Sequence, residues 1–300
     1  MILHVVIPAY GSSPFLREAI QSAINAVDSN TPITVIDDAS LTSDVAIVSQ
    51  EFAHRVTYTR NPSNLGLATN FLHSFNISQA EFTVVLGSDD LMLPGYEAAL
   101  INTLRQFPDS TVVHPAVDVI DGLGNSILPL VDKIKRSIRG EMNDVMTVSG
   151  VNLCRKLFIG NFMYFPATAW RTDVMKSADW ETTYKHAVDM DLLFKLALSG
   201  EQFVFTSDRV FQYRRHADSV SSVLANEDTR LSEELAVHWT ARALLPENAR
   251  FSTKLFAQLA PTVRIHALII AAKQMPKSPL SGLRHIARSL TPIRPLKKIL

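Results

Sequence analysis

Five short runs rich in apolar and β-branched residues, His4–Pro8, Ile33–Asp37, Val56–Arg60, Phe82–Gly87 and Val112–Asp118, are separated by longer segments, two of them helix-like. Strands alternating with helices make βαβ units, and such units assemble a mostly parallel sheet with helices on its faces. Between the first two runs, Ser13–Asn25 places Phe15, Ala19, Ile20, Ala23 and Ile24 on one helical face, with Pro14 suited to a first turn. Leu67–Asn76 is helix-like between the third and fourth runs. The expected fold class is therefore α/β, with a Rossmann-like, mostly parallel sheet flanked by helices.

The second half is less regular. Asp121–Gly150 is glycine-punctuated and mixed in charge, and it reads as an excursion or mobile loop. Val188–Ser199 has the pattern of an amphipathic helix, Phe203–Arg214 that of a returning strand, and Leu231–Leu245 and Phe251–Lys273 those of two further helices. This divides the chain into an α/β region, 1–222, made of two halves, 1–118 and 119–222, and a helical C-terminal extension, 223–300.

Open α/β sheets bind ligands beyond the carboxyl ends of their strands, so the polar residues that follow the runs are the ones to weigh. Val84-Val85-Leu86-Gly87-Ser88-Asp89-Asp90 is a buried-type strand that meets two acids. Unpaired buried charge is costly, so such acids stay hydrated, pair with cations or bind a metal. Mg²⁺ and Mn²⁺ take oxygen ligands and share them with substrate phosphates. The same dipeptide also suits a turn that caps the next helix. Val35-Ile36-Asp37-Asp38-Ala39-Ser40 is a second strand that meets two acids, and Asn61-Pro62-Ser63-Asn64-Leu65-Gly66 is a loop that leads into a helix. Either could contact a nucleotide or be turn and cap chemistry alone.

Composition excludes some partners. Lys plus Arg and Asp plus Glu are 29 each, so no overall field attracts a polyanion, and nucleic acid is not an expected partner. The single cysteine, Cys154, cannot form an intramolecular disulfide and is either a small buried hydrophobe or a reactive thiol. The opening residues are too short an apolar run, and lack the basic leader, for a signal peptide. Uninterrupted apolar stretches fall short of the roughly 18 residues of a spanning helix, so the protein is not expected to span a membrane. From Ala271 onward Lys273, Lys277, Arg284, Arg288, Arg294, Lys297 and Lys298 meet no acid and are interleaved with Leu283, Ile286, Leu290, Ile293 and Leu296. That pattern suits either adsorption to an anionic bilayer or a solvated basic tail. A cytoplasmic location, peripheral at the inner face of the membrane, is the corresponding expectation. Oligomeric state is not legible.

Taken in order, Ile7-Pro8-Ala9-Tyr10, Asp37-Asp38-Ala39-Ser40, Asn64-Leu65-Gly66 and Ser88-Asp89-Asp90 resemble the GT-A fold of glycosyltransferase family 2. Members open with a strand ending Pro-x-Tyr, continue with Asp-Asp-x-Ser and Asn-x-Gly, and then carry an Asp-rich motif. The resemblance covers Met1 to about Ser222. It implies a nucleoside diphosphate sugar donor, a glycan or lipid-linked acceptor and a divalent cofactor, Mn²⁺ or Mg²⁺. It places Pro8, Tyr10, Asp38, Asn64, Asn70, Ser88 and Asp89 at the donor, with Tyr10 near the base and Asp38 bonded to it. Asp89, Asp90 and His216 become candidate metal ligands. Gly87 departs from the pattern, standing where many members carry the first acid of Asp-x-Asp, and Gly11 stands where Asn often follows the Tyr.

Downstream, Val188-Asp189-Met190-Asp191-Leu192 resembles the family's Glu-Asp-x-Asp-Leu segment, with Val188 in place of Glu. The resemblance makes Asp189 the catalytic base of an inverting transfer; on the residues alone, Asp189 and Asp191 can equally be first-turn helix acids. Gln212-Tyr213-Arg214-Arg215-His216 resembles the Tyr-Arg-x-His run that closes many such domains, which assigns Arg214 or Arg215 to the diphosphate. The aromatic-rich stretch Phe158–Arg171 would line the acceptor side or form ordinary core. Two other readings stay open. A nucleotidyltransferase expects a basic Gly-rich loop after the first strand, and here no Lys or Arg occurs until Arg17. A non-catalytic module that binds nucleotide sugar or a partner protein is kept open by Gly87 and Val188.

Overall fold

A computed structural model describes residues 1–140, 145–216 and 228–276, together with 283, 286 and 287. Most of the basic tail lies outside the described residues. The first half runs β1 (Leu3–Ala9), α1 (Leu16–Ala26), β2 (Ile33–Asp37), α2 (Asp44–Glu51), β3 (Thr57–Arg60), α3 (Leu67–Ile77), β4 (Phe82–Val85), β5 (Leu91–Met92), α4 (Tyr96–Gln106) and β6 (Val112–Ile120). There follow β7 (Ser126–Ile127), α5 (Leu130–Arg139), β8 (Val145–Val148), α6 (Gly150–Ile159), β9 (Ala169–Arg171), α7 (Thr172–Ser177), α8 (Val188–Leu198) and β10 (Phe203–Arg214). Three helices complete it: α9 (Asp228–Ala243), α10 (Phe251–Leu259) and α11 (Pro261–Gln274).

The strands form one sheet in the order β3-β2-β1-β4-β9-β6-β10-β5, with β7 on β6 and β8 on β10. β1, β2, β3 and β4 pair in parallel. β9 runs antiparallel to both β4 and β6, so β6 points the same way as β4, and β10 follows β6 in parallel. The carboxyl ends of β1, β2, β3, β4, β6 and β10 therefore share one edge. Every polar cluster singled out in the sequence before residue 91, and the run ending in His216, comes to that edge.

Side-chain alternation splits the sheet between two cores. Leu3, Val5 and Ile7 of β1 with Phe82, Val84 and Leu86 pack against Leu16, Ile20 and Ala23 of α1 and Tyr96 and Leu100 of α4. Val85, Val112, Phe203 and Phe205 join Phe75 of α3 with the buried faces of α6 and α8 on the other side. The extension is not a loose appendage, because Val237, Ala241 and Ala257 enter this second core. Cys154 lies there too, fully buried, and burial pushes its thiol up to about 12, so it is a core residue.

Three expectations are corrected. Asp121–Gly150 contains a β7 pairing, the helix α5 and the β8 strand on either side of the undescribed 141–144, rather than a structureless excursion. The helix expected over Phe251–Lys273 is two helices, because Ala260 takes a positive φ of 41° and Pro261 opens the next one. By length and composition Phe251–Ala272, 22 residues that include an 18-residue stretch of mean hydropathy 1.5, is long and apolar enough to cross a bilayer. It breaks at Ala260, and Ala257, Val263, Ala267 and Ala271 are buried inside the protein.

Candidate donor and acceptor site

At the end of β1, Tyr10 is 54% exposed, and Gly11 takes a positive φ of 72° as the chain turns away. The Gly11 N–H donates to Ser40 Oγ at 2.9 Å, which ties the turn after β1 to the turn after β2. Asp37 is fully buried: it accepts from the Ser40 N–H at 2.8 Å, from Tyr58 Oη at 2.8 Å, and from Arg60. Burial alone would raise its carboxyl, yet these donors hold it below the ordinary carboxylate value.

Asp38 is 4% exposed and is likewise engaged. Its Oδ1 accepts from Asn61 Nδ2 at 2.8 Å and the Leu65 N–H at 2.9 Å, and its Oδ2 from the Gly66 N–H at 3.1 Å. Asn61 Nδ2 also donates to Asn70 Oδ1 at 3.1 Å, so Asn70 joins the same buried polar cluster. Asn64 is exposed and accepts from the Gly66 N–H at 2.9 Å, an Asx turn. The anion at the entry to α3 is thus the protein's own Asp38. The carboxylate fixes the Asn-x-Gly loop while Asn64 and Tyr10 face solvent.

The Asp-rich turn after β4 separates its two acids. Asp89 is partly exposed, and its Oδ2 lies 2.8 Å from His216 Nε2 at the end of β10. Asp90 is 1% exposed, with Oδ1 accepting from the Arg214 N–H at 2.9 Å and Oδ2 buried without a hydrogen-bond partner among the described residues. Desolvation, with Asp89 adding to it, raises its pKa well above the ordinary value. A Cβ at position 87 would come within 2.5 Å of Asp90 Oδ2, so the Asp90 carboxylate fills the space that a side chain there would take. Ser88, partly exposed, precedes Asp89 on the rim, and Pro8, also partly exposed, lies near the end of β1.

The two arginines of the closing run also separate. Arg214 is 2% exposed: its Nε donates to the Asp89 carbonyl at 2.8 Å, its Nη2 to Glu18 at 2.7 Å, and its guanidinium lies over Phe15, 4.4 Å from the ring centre. It braces the Asp-rich turn from behind. Arg215 forms a two-pronged pair with Asp132 of α5 at 2.7 and 2.8 Å, and Asp132 also accepts from Tyr164 Oη at 2.6 Å. Lys135, one turn along α5, lies over the Tyr164 ring and donates to the Met163 carbonyl at 2.8 Å. Burial, with Arg215 adding to it, brings Lys135 down to about 8.

Asp189, partly exposed, opens α8. Its Oδ2 accepts from Asn161 Nδ2 at 2.8 Å and its Oδ1 from the Met190 N–H at 2.8 Å. Desolvation raises its pKa above the ordinary carboxylate value, while the Met190 N–H, Lys135 and Arg230 draw it part of the way back. Asp191 is instead ion-paired with Lys195 at 2.8 Å on its own helix. Of the aromatic stretch, Phe158, Phe162 and Trp170 are core; Asn161, Tyr164 and the Met163 carbonyl reach the polar network. Sequence patterns gave no sign of Asp132 or Lys135, which lie on a helix in a segment read as an excursion and gain partners only through the fold; Asn161 falls in the aromatic-rich stretch, where no pattern singles it out.

Among the described residues no group of three or more His, Cys, Asp or Glu side chains gathers as a self-sufficient metal cage. Asp89 and His216 bring two side chains able to donate to a cation together at the rim, short of a complete set.

An uncharacterized glycosyltransferase of Rickettsia felis is 24% identical over 242 residues, 80% of this chain and 38% of that protein. Chondroitin synthase of Escherichia coli is 21% identical over 201 residues, 66% of this chain and 27% of that protein. The chain thus spans well under half the length of these relatives. Among solved structures, Staphylococcus aureus TarS in complex with UDP-GlcNAc superposes with a TM-score of 0.62 at 14% identity, over 96% of this chain and 89% of that one. The mannosyltransferase PcManGT of Pyrobaculum calidifontis, in complex with GDP-Man and Mn²⁺, superposes with a TM-score of 0.61 at 14% identity, over 95% and 78%. These likenesses identify the sheet and its flanking helices as the GT-A fold. The profile described as Glycosyl transferase family 2 matches residues 4–162, more than half of the chain, and the protein belongs to that family.

Proposed function

We propose that the protein is an inverting, metal-dependent glycosyltransferase that moves a sugar from a nucleoside diphosphate sugar, a UDP-sugar by preference, to an acceptor hydroxyl of a bacterial surface polysaccharide or lipid-linked glycan. The observation that carries the reading is the pairing of Asp89 with His216 at the carboxyl edge of the sheet, bordered through Arg215, Asp132 and Lys135 by the partly exposed Asp189. A UDP complex of TarS and the Mn²⁺ complex of PcManGT support the donor class and the ion.

In this reading Tyr10 packs on the base, and Asp38 and Asn70 shape the donor loop that Asn64 fronts. Pro8 and Ser88 line the donor rim. Asp89 and His216 would hold Mn²⁺ or Mg²⁺, which would supply Lewis-acid charge to the departing diphosphate. Asp90 and Arg214 support that turn from within, and Arg215 contributes positive charge from the side. Asp189 accepts the proton of the acceptor hydroxyl as its oxygen attacks the anomeric carbon opposite the leaving group. One carbon–oxygen bond forms, the bond to the diphosphate breaks, and the nucleoside diphosphate leaves with the electron pair. A single displacement inverts the anomeric centre. A carboxylate with a raised pKa is better matched to this proton transfer than an ordinary one. We take 1–118 as the donor half, 119–222 as the acceptor half and 223–300 as a helical extension whose basic tail, 271–300, contacts the cytoplasmic face of the membrane.

Calorimetric titration of nucleoside diphosphates and their sugars, with Mn²⁺ and then with EDTA, tests this. Metal-dependent binding of one nucleoside diphosphate is expected and should weaken in Asp89→Ala. Absence of binding to every nucleotide would sink the proposal and favour a non-catalytic module.

A further inference from the structure

The segment that leads into Asp189 is held by a residue of the C-terminal extension. Glu233 of α9 is 9% exposed, and its carboxylate receives three successive backbone N–H groups: Lys185 at 3.1 Å, His186 at 2.8 Å and Ala187 at 3.3 Å. Those amides sit at the N-terminal mouth of α8, where unpaired N–H groups and the helix dipole favour an anion. A second contact lies beside it, with Thr229 Oγ1 2.9 Å from His186 Nε2. Ala187 is the residue before α8 begins, and Asp189 follows two positions later. The geometry of the proposed base therefore depends on a side chain more than forty positions away, outside the segment that the family profile matches.

We infer that Glu233 is a positioning residue for Asp189, and that α9 completes the acceptor side of the site instead of merely covering the core. The inference rests on the reading of Asp189 as the base. A carboxylate can accept several N–H bonds at once, and no other side chain type does so with a charge that suits a helix N-terminus. Without it the three amides lose their partner, the entry to α8 loosens, and the carboxylate of Asp189 loses its fixed direction toward an acceptor hydroxyl. Misplacing a reacting group by about 1 Å costs about 100-fold in rate.

The test compares the whole chain with Glu233→Gln, Glu233→Asp and Glu233→Ala. For Glu233→Gln the expected result is a fall in kcat of about 10- to 100-fold, with donor KM within about twofold. Glu233→Asp, shorter but still anionic, should retain more activity than Glu233→Gln. Sodium formate should restore turnover to Glu233→Ala, by occupying the vacated amides, and should not restore it to Asp189→Asn. Amide hydrogen exchange read over residues 185–190 should quicken in Glu233→Gln while exchange in β1 and β4 stays unchanged. Equal kcat in all variants, or equal losses in kcat and donor binding without formate rescue, would overturn the inference. Unchanged exchange over 185–190 would overturn it whether or not the wild type transfers sugar. A wild type inactive with every donor, combined with quickened exchange in Glu233→Gln, would instead reject the reading of Asp189 as a base while leaving the capping role in place.

Discussion

The Oδ2 atom of Asp90 occupies the volume into which a side chain at Gly87 would grow, at 2.5 Å from the position of its Cβ. The glycine and the buried acid are therefore complementary: the turn can hold an acid at 90 beneath the site or a side chain at 87, and not both in this arrangement. Gly87→Ala should destabilise the protein by about 1–3 kcal/mol, the usual cost of overpacking. The penalty should shrink in an Asp90→Ala background, where the obstructing carboxylate is gone. Urea unfolding of the two single variants and the double variant measures this coupling, and additive losses would refute it.

Asp189→Asn keeps the size of the side chain and can still accept from Asn161, but it cannot take up a proton at neutral pH. Transfer should fall by about 100- to 10,000-fold, the range of general-base contributions, while nucleotide affinity stays within about twofold. Steady-state rates and calorimetry on the same preparation decide it, and normal turnover would remove Asp189 from the mechanism.

Part of the acid sensitivity should come from the buried histidines His4 and His114. Desolvation lowers His4 from 6.5 to about 4, and desolvation, with Arg139 adding to it, lowers His114 to about 3. Both are 6% exposed or less; His4 shares a hydrogen bond with Thr34, and the Tyr164 N–H donates to His114 Nε2. A folded pKa below the unfolded one means that the neutral form favours folding. The contribution is complete above pH 6.5 and is lost as pH falls from there through about 4 and then about 3. For His4 the loss is on the order of 3 kcal/mol. Thermal unfolding followed from pH 7.5 to 4.5 should show the decline, and His4→Gln should flatten part of it; a profile unaltered by the substitution would point to other groups.

The exposed apolar face of α10 and α11, which includes Phe251, Leu255, Ile265, Leu268 and Ile269, adjoins the basic residues of the tail in sequence. Apolar area combined with Lys and Arg favours anionic bilayers. Truncation after residue 276 should weaken sedimentation with phosphatidylglycerol vesicles at least about tenfold and leave phosphatidylcholine binding unchanged. Equal sedimentation of both forms would reduce the tail to a solvated end.

The sequence by itself determined the layered α/β architecture, the edge at which the site forms and the members of the Asp-rich turn. Those features are local: strand and helix periods, and polar residues that directly follow a strand, are written in neighbouring positions. It also singled out Asp89, Asp189 and His216 as candidates. Only the tertiary structure decided how each acid is used. Asp89 and Asp90 are adjacent in the chain, yet one meets His216 at the rim and the other is buried under Gly87, because β10 arrives 125 residues later and takes the Asp90 carboxylate with its own N–H. Arg214 and Arg215 divide in the same way, toward Glu18 on one side and Asp132 on the other. The helix α5 and the strand β9 were illegible: the first lies in a glycine-punctuated segment, and the second has three residues and pairs only because β4 and β6 leave a lane between them. The reach of Glu233 to the amides before Asp189 has no local signature at all, since a long-range hydrogen bond is specified by where two helices pack and not by any spacing along the chain.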